Sequence, residues 1–213
     1  MPIPRSLLAA MLLTAAGAPL GAQAAPASLA MAVSDEPTLD EVRKLTARYT
    51  DVNVALADGY VRDPANVCEV APMMGLPAEM GAMGIHFIRM DLLEITGPPN
   101  PRVDGASTHV DFRKPAVLIY EPQADGSMSL VAVENLVFIA AWEKAGNTAP
   151  PSYQGVAYDR MVDDPATELD EAHHFMPHYD RHVWLYRENP NGVFAQFNPA
   201  VTCEHHKAPG HDH

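Results

Sequence analysis

The chain has 213 residues, with 14 Lys plus Arg against 27 Asp plus Glu, a formal charge of −13. A protein this acidic does not track phosphate backbones, which excludes nucleic-acid binding. Hydrophobic residues reach 47% and cysteines number only 2, which exclude a disordered chain and a disulfide-dense mini-protein.

Residues 1–25 read as a secretory signal peptide. Arg5 supplies the positive start, Leu7 to Leu13 the apolar centre, and Ala22-Gln23-Ala24 a small-residue cleavage pattern. The alternative is an uncleaved anchor. No later segment reaches the roughly 18 uninterrupted apolar residues of a membrane span. The expected product is periplasmic or secreted. Residues 26–37 form a flexible lead, 38–203 a single globular domain, and 204–213 a His-rich tail.

Thr38-Leu-Asp-Glu41 is a capping box. Leu39, Val42, Leu45, Tyr49, Val52 and Leu56 follow at helical spacing, and Gly59 supplies a stop. One helix over 38–58, laid on a sheet, is the expectation. Residues 62–83 are rich in Pro and Gly and read as irregular. Ile85–Met90 reads as a strand, and 97–115 as a loop. Ala116–Glu121 and Ser129–Ile139, joined by Asp125-Gly126, read as a hairpin. Residues 145–177 read as irregular, and Tyr179–Arg187 as a last strand. One helix followed by runs of strands predicts an α+β fold: a helix on a twisted, mainly antiparallel sheet or partial barrel with long loops. There is no phosphate-binding glycine motif.

Export makes a disulfide the default for Cys68 and Cys203, with thiolate metal ligation as the competing reading. The long loop it closes is worth about 5 kcal/mol in the chain-entropy model.

Glu134 interrupts the apolar run Leu130–Ile139, where both strand faces are expected to be buried. A carboxylate there needs a cation or must neutralise. The candidates are an arginine, Arg89 or Arg181, or else a metal ion or a histidine. On the last strand, His178, Asp180, His182, Trp184 and Tyr186 alternate onto one face. His178 and His182 stand about 13 Å apart if the strand is extended, too far to share an ion unless the chain bends. His86 follows the glycines of Gly81-Ala-Met-Gly84. Read alone, it is a hydrogen-bonded core histidine. With Glu134, His178 and His182 it completes a donor set suited to Zn, Cu, Mn or Fe, of which copper and zinc fit an oxidising compartment best. Asp180 is read as a ligand or as an orienter of the ligands.

Weaker signals surround this set. Met73, Met74, Met80, Met83 and Met90 offer thioethers, or simply fill core gaps. His205, His206, His211 and His213 form a metal-capturing or merely solvated tail. His109 and His173 have no evident companions. No G-x-S-x-G elbow is present, and Glu134 with Asp180 is no evidence of a glycosidase. Two other classes compete with a metal-binding protein. One is a metal-free small-molecule binding module, with Trp184, Tyr186, Tyr120 and Phe87 lining an apolar pocket. The other is a structural or interaction module in which Glu134 pairs with arginine.

Five stretches carry a family resemblance: Gly81-Ala-Met-Gly-Ile-His86-Phe, Leu118-Ile-Tyr-Glu-Pro122, Val131-Ala-Val-Glu134, Met176-Pro-His178-Tyr-Asp-Arg-His182-Val-Trp184, and Asn198-Pro-Ala-Val-Thr-Cys203. They resemble the motifs of a group of small exported bacterial proteins of unassigned function. The resemblance runs from the first helix to Cys203. It departs at Ala82, Phe87 and Asn135, where the group has Gly, Tyr and an aromatic. It implies a family but no mechanism, and it directs attention to His86, Glu134, His178, His182 and Cys203.

Overall fold

A computed structural model describes residues 35–207. The signal-peptide features, most of the lead, and His211 and His213 lie outside the described residues.

The capping box forms as expected. The Thr38 hydroxyl accepts from the Glu41 N–H, and the Glu41 carboxylate accepts from the Thr38 N–H. The helix it starts does not run to residue 58. It divides into α1 (Leu39–Thr46), a 3-10 turn (Ala47–Thr50) and α2 (Val52–Ala57). The cause is local. The Thr46 and Thr50 hydroxyls donate to the Val42 and Ala47 carbonyls, and Asp51 starts a new helix by accepting from the Asn53 N–H. The apolar stripe survives the break, and Val42, Tyr49 and Ala55 pack on the sheet.

The strands are β1 (Val61–Arg62), β2 (Cys68–Val70), β3 (Ala82–Ile88), β4 (Val117–Pro122), β5 (Met128–Phe138), the small pair β6 (Ser152–Tyr153) and β7 (Val156–Ala157), β8 (Asp159–Met161) and β9 (His178–Val183). Short helices α3 (Met90–Leu93) and α4 (Ile139–Lys144) follow β3 and β5. The main sheet runs β1-β3-β4-β5-β9-β8, with β2 also on β3, and every pairing in it is antiparallel. Its order is open, so the fold is α+β with a sheet rather than a closed barrel. The expected hairpin is β4–β5. The last strand is shorter than expected: at Trp184 the N–H turns to the Val193 carbonyl. No helix among the described residues is long and apolar enough to cross a membrane.

The sheet separates two cores. Phe87, Leu118, Val133 and Val183 meet the helices on one side. Val117, Ile119, Leu136, Phe138 and Phe175 pack on the other. A third cluster holds Met74, Met83, Met161 and Phe197, with Met80 against it, so these methionines fill core space. Met73 and Met90 are exposed.

The C-terminal segment is tied back onto β3 and β4. Cys68 and Cys203 form a disulfide. Asn198 bridges to Ala82, and Glu121 accepts from the Thr202 N–H and pairs with Arg187. Gly81 makes the close approach possible. A Cβ there would stand 2.1 Å from the Asn198 carbonyl oxygen, at a φ of +84°. Gly81→Ala is therefore expected to lower stability by at least the roughly 1–3 kcal/mol of an overpacked core. Urea unfolding measures it, and an unchanged midpoint would contradict the packing.

Candidate metal centre

The register places five ionisable side chains on one face of the sheet. His86 stands opposite Ile119, Glu134 opposite both Val117 and His182, Asp180 opposite Leu136, and His178 opposite Phe138. Partners in register share a face, and residues two apart along a strand share it again. A sixth side chain, His173, reaches this face from the loop before β9. The ring centroids of His86 and His173 are 5.8 Å apart, and those of His173 and His178 are 5.0 Å apart.

Within this group the donor atoms form two sets of three: His86, Glu134 and His182, and His173, His178 and Asp180. In each set the candidate ligand atoms all lie within 4.8 Å of one another. Glu134 Oε2 is 3.3 Å from His86 Nε2 and 3.5 Å from His182 Nε2. Asp180 Oδ2 is 3.7 Å from His178 Nε2 and 4.0 Å from His173 Nε2. Glu134, His178, Asp180 and His182 are wholly buried, and His86 and His173 are 4% and 2% exposed.

These contacts are not hydrogen bonds. Among the described residues, fourteen buried side-chain nitrogens and oxygens lack a hydrogen-bond partner, and ten of them belong to these six side chains. Ordinary cores leave few such groups, because each costs about 1–3 kcal/mol. The spacing is informative. Ligands 2.0–2.1 Å from a tetrahedral ion stand about 3.4 Å apart, whereas hydrogen bonds close to 2.7–3.2 Å and align. The first set sits at the ligand spacing and the second a few tenths of an ångström beyond it.

Among the described residues, no arginine pairs with Glu134 or Asp180. Arg89 pairs with Asp91. Arg181 lies on the opposite face, opposite Asn135 in register, and is held by Asp159 and the Phe194 and Ala157 carbonyls. His178 shows what the carboxylates do face. Its Nδ1 is 3.0 Å from the Met176 carbonyl and donates to it, and Nε2 faces Asp180. Nε2 and the carboxylate thus face each other without a hydrogen bond, at a separation that a shared cation would bridge.

Electrostatics within the first set are uneven. Burial pulls the His86 imidazole down, but contact with the Glu134 carboxylate and its charge outweigh burial and raise it to about 9. Burial dominates at His182 and lowers it to about 4. Burial also holds His173 well below its ordinary value. Two more carboxylates add negative charge near His86. The Asp63 N–H donates to the His86 carbonyl, and Glu69 stands opposite Gly84 on the same face as His86. Burial raises both carboxyls, and the His86 charge opposes it.

A testable consequence concerns the metal-free protein. A raised folded-state value makes protonated His86 stabilising below the unfolded value near 6.5, and that stability is lost as the pH rises through about 9. The stability gap between wild type and His86→Gln is therefore expected to be a few kcal/mol near pH 6 and to close by about pH 9.5. Urea titrations across that range measure it, and a gap independent of pH would show that His86 carries no such proton.

The sequence-derived candidates thus separate. His86, Glu134 and His182 meet. His178 stands in the neighbouring set, because it lies four residues along an unbroken strand from His182. Asp180 offers its own ligand atom. His173 lacked any sequence signal, since it stands in a loop where no periodicity applies. Trp184 stacks on His182, with centroids 6.0 Å apart. Tyr186 leaves this face because its N–H donates to the Val131 carbonyl of β5 one residue off the β5–β9 register, and its hydroxyl donates to the Arg43 carbonyl on α1. Phe87 and Tyr120 pack edge to face in the helix-side core. The four aromatics proposed as one pocket wall therefore occupy opposite sides of the sheet. Among the tail histidines, His205 and His206 belong to neither set.

No family model, characterised protein or solved structure matches the chain.

Proposed function

We propose that this chain is an exported metal-binding protein whose ion is held by His86, Glu134 and His182. The observation that carries the reading is the convergence of two imidazoles on a wholly buried carboxylate, at ligand spacing, with no hydrogen bond and no arginine. Two nitrogens and one oxygen suit borderline ions, and zinc or copper is the first expectation. Three protein ligands leave a coordination position open, the arrangement of a reactive rather than a closed structural site. When bound, such an ion supplies Lewis acidity. The protein's own contribution is to fix the donors. Trp184 stacks on the His182 ring, and the apolar packing of Val117, Ile119 and Leu136 keeps the local dielectric low.

Export is supported by the disulfide between Cys68 and Cys203 and by the signal-like start of the sequence. Membership of the exported group that the chain resembles is part of the same proposal. The motifs of that resemblance contain His86, Glu134, His178, Asp180 and His182, which lie on one sheet face.

The test is elemental analysis of protein with His205, His206, His211 and His213 replaced by Ala. Bound copper, zinc, manganese or iron is expected, with about one equivalent lost in folded Glu134→Gln and His182→Ala variants. No metal in the natively produced protein, or after reconstitution with each ion, would sink the proposal.

A further inference from the structure

The first set uses only half of the buried, unpartnered donors on this face. His173, His178 and Asp180 supply three more, and six of their side-chain nitrogens and oxygens bear on the question. Of these six, only His178 Nδ1 has a hydrogen bond, to the Met176 carbonyl. That bond is the outer support by which a metal-binding imidazole is usually oriented, with its free nitrogen turned inward. Asp180 lacks any hydrogen bond on either oxygen. His173 lacks one on either nitrogen.

The backbone is bent to deliver His173. His173 and His174 have φ values of 35° and 71°, two consecutive residues in the left-handed region. Non-glycine residues there are strained, and such strain gathers at functional sites. Local anchors hold the bend. The His174 N–H donates to the Asp170 carboxylate, and Asp170 pairs with Arg102. The strained segment places an imidazole at 2% exposure where nothing in the described chain bonds to it.

The six donors do not converge on one point. β9 pairs with β5 without a bulge from Phe138–His178 to Val133–Val183, so it is extended. His178 and His182 are then about 13 Å apart at Cα, beyond the comfortable reach of one ion with 2.0–2.1 Å bonds. Each set has its own carboxylate and its own pair of imidazoles. The contact between the His86 and His173 rings makes the two sets neighbours on this sheet face.

We propose that His173, His178 and Asp180 form a second metal site, so that this sheet face holds a pair of transition-metal ions. The proposal rests on the reading of His86, Glu134 and His182 as the first site. The ions are offset along β9 by roughly the rise of two residues, about 7 Å. Asp180 and Glu134 each neutralise part of one ion's charge, and neither set depends on the other for its ligands.

The experiment uses the full chain with the four tail histidines replaced by Ala, loaded with copper(II) or zinc and freed of excess ion. Two equivalents are expected in this parent, one in Asp180→Asn, one in His173→Ala, one in Glu134→Gln, and none in the Glu134→Gln, Asp180→Asn double variant. Circular dichroism of the metal-free variants confirms that they fold. The copper-loaded parent is expected to show a half-field electron paramagnetic resonance transition from two coupled ions, and Asp180→Asn to lack it. The signal of the parent needs no variant to fold. A single equivalent in the parent that Glu134→Gln removes and Asp180→Asn keeps would overturn the second site and leave the first standing, and a single equivalent that Asp180→Asn removes and Glu134→Gln keeps would overturn the first site and with it the pair. Two equivalents without spin coupling would overturn the pairing. No bound metal at all would overturn both readings.

Discussion

Saturating the metal-free protein with its ion is expected to raise the melting temperature by about 8–16 °C. An ion at a thousand times its dissociation constant adds about 4 kcal/mol, and a chain of this size gains about 2–4 °C per kcal/mol. The structural reason lies at Glu134 and its two imidazoles. Without the ion, the fold buries a carboxylate and imidazole nitrogens that make no hydrogen bonds, and a single proton on His86 offsets only part of that cost. The ion removes the penalty in the folded state and has no comparable site in the unfolded chain. Glu134→Gln is expected to lose the part of the shift that this site contributes. It keeps the shape but cannot supply the charge. Differential scanning calorimetry with zinc, copper(II), manganese(II) and iron(II) in turn would decide it. A melting temperature that none of them moves would end the metal-site reading.

The second large effect concerns Cys68 and Cys203. Replacing both by Ala is expected to cost about 2–5 kcal/mol of stability. The two residues are 135 positions apart in sequence, so the bridge constrains most of the described chain in its unfolded state. It also fastens the C-terminal segment to β2, beside the β3 strand that carries His86. Other ties remain in the variant, since Asn198 still meets Ala82 and Glu121 still holds Thr202 and Arg187. The variant is therefore expected to fold, with a lower urea midpoint. A midpoint unchanged from wild type would show that the bridge constrains nothing that those contacts do not already hold.

Much of this arrangement is legible in the residues themselves. The period of two in β9 puts His178, Asp180 and His182 on one face whatever the fold. The apolar run around Glu134 marks a carboxylate that must find a cation. The Asp125-Gly126 turn announces the β4–β5 hairpin, and the capping box at Thr38 marks the start of α1. The end of that helix is not legible in the same way. Hydroxyl-to-carbonyl bonds at Thr46 and Thr50 and the new cap at Asp51 compete with an apolar periodicity that alone suggests continuity.

Local patterning determined which way the side chains of each strand point, because alternation is a property of the backbone over a few residues. It could not determine which strands lie side by side. Whether Glu134 met Arg181, Arg89 or histidines depended on β5 pairing with β9 in one register, a choice made by packing across the whole sheet. A shift of one residue would have turned Arg181 toward Glu134 and the histidines away. His173 was beyond any periodic reading, since its direction comes from a left-handed bend anchored through Asp170 and Arg102. The sequence thus carried the donor types and their faces, and the tertiary structure alone decided their partners, because register and loop conformation are set by contacts distant along the chain.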